Sequence, residues 1–226
     1  MRQLKRMSET PVGAGATKAR THVGAPDAER LALLADASQQ LADAGLEPTA
    51  VLERLCQLVM PRLGSACLVR LLSADGRWLE SAASAHTDAW PHELLERLVF
   101  GPRRAGDNPY AGVLRTGRAL VCTAAELAEL QRQIPAGHLP PVPCPRTAHL
   151  LLLPLRARQR TLGTLSVYRE PHEPPFDTAE RLLLQELGDR AGLALDLAHA
   201  YASERRARHA AATAQTPVEP DADVVV

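Results

Sequence analysis

The side chains with the most evident capacity for chemistry are four cysteines and eight histidines. Cys56, Cys67, Cys122 and Cys144 lie far apart, and no C-x-x-C pair points to a metal site or a dithiol. They read as free thiols that could each be oxidised but are not spaced to act together. His86, His92, His172 and His199 show no spacing at which two imidazoles would share an ion. The sequence has no dinucleotide or phosphate glycine loop, no H-E-x-x-H and no G-x-S-x-G. Trp78 and Trp90 could line a pocket, although core filling is the commoner use of an indole. Of the two basic clusters, Arg103-Arg104 and Arg205-Arg206-Arg208, the second falls in the last turns of a helix, where cations oppose the negative end of the dipole.

Composition narrows the partners. The 226 residues carry 26 Lys+Arg against 26 Asp+Glu, and a neutral chain lacks the basic excess that nucleic-acid binding uses. Aromatics make up 3%, too few to offer stacking platforms for bases. Lys5 and Lys18 are the only lysines, so every later positive charge is Arg or His. Residues 1–26 mix basic side chains with Gly, Ala, Thr and Pro and contain no apolar stretch of the kind a secretory signal needs. The longest strongly apolar run, Leu150 to Leu155, is far too short to span a bilayer. A cytoplasmic protein without nucleic-acid or membrane partners is expected, its tails at 1–26 and 210–226 disordered around one domain at 27–209.

The elements that would position any site follow from periodicity. Asp27 caps a helix with Leu31, Leu34, Ser38 and Leu41 on one face, ending at Gly45. Pro48 opens a second, with Val51, Leu52, Leu55 and Val59 inward, that Gly64 stops. Strands over Ala66–Leu72 and Arg77–Ala85 flank Asp75-Gly76, a strong hairpin signal. A helix over Pro91–Phe100, a strand over Leu120–Thr123 and a helix over Ala124–Gln133 precede a loop with five prolines between Pro135 and Pro145. Strands Ala148–Arg156 and Thr161–Tyr168 come next; the first is apolar on both faces at Leu150 to Leu153, as a central, doubly covered strand should be. Asp177 and Glu180 form a capping box for a long helix with Leu184, Leu187, Ala191, Ala194, Ala198 and Tyr201 in one stripe. Leu182, Leu183, Leu193, Leu195 and Leu197 occupy its other faces, so it must bury itself against both its own sheet and a partner helix. The layout is α+β.

Two stretches resemble the GAF domain family. Leu150-Leu151-Leu152-Leu153-Pro154-Leu155-Arg156 followed by Thr161-Leu162-Gly163-Thr164-Leu165-Ser166-Val167-Tyr168 is similar to its strand pair, which runs on through Pro175-Phe176-Asp177 into a helix. Gly112 to Val121, with Arg115-Thr116-Gly117-Arg118, is similar to a second family segment upstream. The resemblance implies a central antiparallel sheet of five to six strands. It places the N- and C-terminal helices on one face and a loop and short-helix layer with a pocket on the other. Trp90, Tyr110, Cys122, His138, Cys144 and His149 become the pocket candidates. Gly163 would permit close approach of a neighbouring element, Gly117 would be a turn glycine, and Pro154 would require a bulge or a position that misses no donor.

The chemistries that the family carries can be tested on these residues. Its cyclic-nucleotide signature needs lysine, which is absent after Lys18. Bilin-binding members attach the chromophore through a thioether; Cys144-Pro145-Arg146-Thr147-Ala148-His149 resembles their Cys-x-Arg-x-x-His, but His149 runs straight into Leu150 without the family's intervening helix. Haem-binding members place a histidine before the same strand, as His138 stands here, with imidazole as axial ligand. The free methionine sulfoxide reductase branch has a Gly-His-x-x-Cys loop that Gly137-His138 and Cys144 resemble at longer spacing, and its Gly-Val-Cys-Gly segment is missing. The expectation is therefore a non-catalytic sensory or regulatory protein with no obligatory cofactor. It would bind a small molecule or a signalling protein such as a kinase or response regulator. It would act in trans as a homodimer joined through Arg30–Leu41 and the stripe of Leu187, Ala191, Ala194, Ala198 and Tyr201. A pure interaction module whose cavity is filled by its own leucines is the alternative, followed by a haem or bilin sensor and the thiol reductase.

Overall fold

The computed structural model of the protein describes residues 27–60, 62–87, 103–106, 110–123, 125–126, 129 and 149–214. Helices α1 (Asp27–Asp43) and α2 (Pro48–Val59) precede β1 (Ala66–Leu72) and β2 (Trp78–His86). β3 (Arg103–Arg104), α3 (Tyr110–Thr116) and β4 (Leu120–Thr123) come before the long hairpin β5 (His149–Ala157) and β6 (Arg160–Arg169), and α4 (Thr178–Ala214) closes the series. The expected helix at Pro91–Phe100, most of that at Ala124–Gln133 and the proline-rich loop lie outside the described residues.

The first hairpin turns where Asp75-Gly76 predicts. Gly76 takes φ +69°, and the Asp75 carboxylate accepts from the Ser73 hydroxyl at 2.6 Å and from the Arg77 amide at 3.0 Å. All strand pairs are antiparallel, in the order β3-β2-β1-β6-β5-β4, so the sheet has six strands with β6 near its centre. Three strands shift by a residue at their ends from the sequence reading, because cross-strand pairing extends to His86, to Ala157 and to Arg160 and Arg169. α2 ends at Val59, well before Gly64, with Met60 already extended.

One face of the sheet carries the helices. Cys67 and Val69 from β1, Ala83 and Ala85 from β2, Leu151, Leu153 and Leu155 from β5, and Leu165 and Val167 from β6 alternate toward it. α2 packs on β1 and β2, α4 on β5, and α1 on α4. Pro154 pairs with Thr164, next to the register shift at Leu155/Arg156 that its missing donor calls for. At Gly163 a Cβ would lie 2.0 Å from the Arg70 carbonyl oxygen, so only glycine lets β1 and β6 approach there.

Arg169 joins these parts. Its guanidinium is fully buried and makes a bidentate pair with Glu180, Nη2 to Oε1 at 2.6 Å and Nη1 to Oε2 at 3.0 Å. Nη1 also donates to the Pro174 carbonyl at 2.9 Å, Nε to that of Leu63 at 3.3 Å, and the plane stacks 4.1 Å from the Phe176 ring centroid. Glu180 completes the capping box. Its amide donates to Asp177 Oδ1 at 2.8 Å, and its Oε2 accepts from the Asp177 amide at 3.0 Å.

Glu180→Ala strands a buried cation and removes half of the helix cap. We expect it to cost about 3–5 kcal/mol, roughly 10 °C in Tm by thermal melt. Arg169→Leu combined with Glu180→Leu should melt higher than either single variant, since no charge is then left alone.

Candidate functional site

Strand alternation gives the second face of the sheet to Leu68 and Arg70 of β1, Thr164 and Ser166 of β6, Leu150 and Leu152 of β5, and Cys122 of β4. All seven are buried. α3 packs over β5 and β6, and its Val113 is buried. A period-two polar pattern such as Thr-Leu-Ser-Val normally marks a solvent-facing side. Here it runs down a covered strand, so the polar side chains face an interior.

Three of these polar groups form a cluster. Arg70 and Thr164 are direct cross-strand partners, and Ser166, opposite Leu68, is the next residue of β6 on that face. Arg70 Nη1 donates to the Tyr110 hydroxyl at 2.9 Å, with the guanidinium 5.5 Å from the ring centroid. That oxygen accepts from Arg70, which leaves the Tyr110 O–H able to donate elsewhere. Thr164 Oγ1 and Ser166 Oγ are buried and bond to no partner among the described residues. An unsatisfied buried hydroxyl costs about 1–3 kcal/mol, and native proteins hold few of them. The face thus carries two buried hydroxyls without a partner among the described residues, beside a buried guanidinium.

The sequence-derived candidates divide. Tyr110 and Cys122 stand on this face. His149 does not: it shares the helix-bearing side with Leu151 and pairs with Arg169, and burial together with that cation lowers its pKa. Trp90, His138 and Cys144 lie outside the described residues. Arg70, Thr164 and Ser166 are missing from the sequence reading. The one signal for Arg70 is a lone charge inside the apolar run of β1.

The dimer stripe needs correction as well. Leu187, Ala191 and Ala198 are buried in the domain's own core and Ala194 packs against it, because α1 and α2 occupy that side of α4. Arg190 Nε even reaches back to the Ser38 hydroxyl of α1 at 2.9 Å. The apolar side chains that α4 leaves outside are Leu182 (51% exposed), Leu193 (53%), Leu197 (59%) and Tyr201 (43%). α4 also continues to Ala214, past the expected domain edge at 209.

Thiol chemistry finds little support among the described cysteines. Cys56, Cys67 and Cys122 are free and buried. The neighbouring Cys67 thiol, together with burial, raises Cys56 well above the usual thiol range. Burial, with the Glu126 charge adding, pushes Cys122 up to about 11. No group of three His, Cys, Asp or Glu side chains among the described residues could hold a metal ion.

A GAF domain family model matches residues 45–196. Solved structures share the fold. The GAF domain of an Acinetobacter phosphoenolpyruvate-protein phosphotransferase is 16% identical with a TM-score of 0.59, over 76% of this chain and 95% of that one. A GAF domain/HD domain protein from Geobacter sulfurreducens is 19% identical with a TM-score of 0.55, over 70% and 97%. The free methionine-R-sulfoxide reductase from Neisseria meningitidis, solved with its substrate, is 14% identical with a TM-score of 0.56, over 77% and 92%. No curated protein matches the chain.

With its thiol held protonated, Cys122 should react with iodoacetamide at pH 8 at least about a hundredfold more slowly in the folded protein than in urea. Mass mapping of the alkylated peptide checks this. Equal rates would mean that the thiol is neither buried nor raised.

Proposed function

The chain belongs to the GAF domain family, and from that premise we propose a non-catalytic sensory or regulatory protein that binds a small molecule on the α3 side of its sheet. GAF domains usually serve sensory or regulatory roles. One observation carries the reading: two buried hydroxyls, Thr164 and Ser166, lack partners among the described residues beside the Arg70–Tyr110 pair. The guanidinium only donates and the hydroxyls can donate or accept, so a ligand with an acceptor such as a carboxylate or carbonyl suits the cluster. Arg70 supplies the charge, and the hydroxyls fix orientation.

α3 offers a route outward. Its first residue, Tyr110, is held by Arg70, while the Gly117 carbonyl just past its end accepts from Arg156 Nη1 at 3.3 Å. Arg156 in turn grips Asp189 of α4, Nη2 to Oδ2 at 2.6 Å and Nε to Oδ1 at 2.9 Å. A ligand that moves α3 would therefore bias α4, which at 37 residues is about 55 Å long. We assign α4 the dimer contact through Leu197 and Tyr201, with a kinase or response regulator as the signalling partner. No helix among the described residues is long and apolar enough to cross a membrane, and free cysteines suit a reducing, cytoplasmic setting. The tetrapyrrole readings rest on His138 and Cys144, which lie outside the described residues.

Native mass spectrometry of the purified protein should show an added non-covalent mass, absent from Thr164→Val/Ser166→Ala. That variant should also melt higher than the ligand-free parent, by about 1–2 kcal/mol, because it removes two unsatisfied groups. A lower melting point and an unchanged mass would instead leave the self-filled interaction module. Separately, Leu197→Arg with Tyr201→Arg should yield a monomer in sedimentation at unchanged Tm, whereas Leu187→Arg should unfold the domain. A parent that sediments as a monomer would end the dimer proposal.

A further inference from the structure

A depression of about 530 Å³ lies between the end of α3, the β5–β6 turn and α4. Arg115, Arg156, Arg158 and Arg160 line it, along with Asp189 and Leu193. Asp189 takes Arg156, and Asp196 takes both Arg160 at 2.8 Å and Arg158 at 3.3 Å, so four guanidinium groups meet two carboxylates. Arg115 makes no ion pair with a described residue. The Arg158 and Arg160 side chains are 80% and 69% exposed, held over the groove by one shared carboxylate.

The backbone marks Arg158 a second time. Its φ is +51°, and it is the only described residue other than glycine with positive φ. A two-residue hairpin turn in that conformation favours Gly, Asn or Asp. A long basic side chain stands there against local preference, a departure of the kind found at functional sites. Open, solvent-facing arginines around a half-exposed leucine resemble a protein-docking surface more than a cavity that encloses a small ligand. Nucleic acid is disfavoured by the zero net charge of the chain.

We propose that this groove docks an acidic segment of another protein, with Asp or Glu side chains bracketing one apolar residue that rests on Leu193. Guanidinium forks match carboxylates two bonds at a time, and the surplus of positive charge sets the sign of the partner. The site does not depend on a ligand at Arg70.

The test titrates the full chain with a fluorescein-labelled peptide, Asp-Glu-Leu-Glu-Asp, by anisotropy. Binding is expected in about the 10–100 micromolar range at low salt, weakening about tenfold near 0.3 M NaCl as the charges are screened. Arg158→Gly relieves the backbone and should therefore melt no lower than the parent, yet bind the peptide at least about fivefold more weakly. Arg115→Gln should weaken it similarly, while Arg205→Gln/Arg206→Gln on the far end of α4 should not. Absence of binding at about 1 mM peptide, or equal affinity in the groove variants, overturns the proposal. Displacement of the peptide by an equal concentration of tripolyphosphate would make this a small-anion site, and loss of self-association in Arg158→Gly would make it a contact between copies; either result also overturns it.

Discussion

The buried guanidinium of Arg169 is the interaction on which the arrangement depends. It stands at the end of β6 and ties together the Leu63 carbonyl after α2, the Pro174–Phe176 segment and the Glu180 carboxylate in the first turn of α4. A charge withdrawn from water is tolerable only when its donors are taken up, and here three elements do so together. That requirement specifies where α4 begins relative to the sheet. From that point the helix runs along β5, and Gly192 lets it come down until a Cβ would sit 2.2 Å from the Arg156 carbonyl oxygen.

Apart from His149 and Arg169 at one end, the helix-bearing face of β5 and β6 is apolar, whereas the opposite face is buried and sets polar side chains among its leucines. A stabilising core would not place Thr164, Ser166 and Arg70 side by side on its central strands, since each hydroxyl without a partner works against folding. Proteins depart from good packing rules mainly where a site is built. Arg158 obeys the same logic on the surface, with a local backbone preference set aside at one residue of a basic groove. α3 is shared by both places: Tyr110 at its start belongs to the polar cluster, and Arg115 and Gly117 at its end border the groove.

Much of this architecture was legible in particular residues. Asp75-Gly76 announced the first hairpin, Asp177 and Glu180 the start of α4, and the four consecutive leucines of β5 a doubly covered strand. The glycine expected to admit a neighbour, Gly163, does so, and Gly117 is the expected turn glycine, at φ +63°. The site was less legible. Strand parity puts His149 on the helix side, and helical phase could not say which of several apolar stripes on α4 faces inward. That choice is made by the sheet with α1 and α2, which together pack on α4 so that Leu187, Ala191 and Ala198 are buried and Leu197 stays outside.

The sequence by itself determined the two N-terminal helices, both hairpins with their turns, β4 and the start of α4, though not β3 or α3, and the lysine-poor composition that lacks the cyclic-nucleotide signature. These are local properties: backbone preference, side-chain period and charge act over a few residues. Only the tertiary structure decided which polar residues became a site. Arg70 and Thr164 are separated by more than ninety residues and meet through antiparallel register. Thr164 and Ser166 read as a solvent face until α3 covers the strand that carries them. Burial depends on what the rest of the chain places on top, and no window of neighbouring residues contains that information.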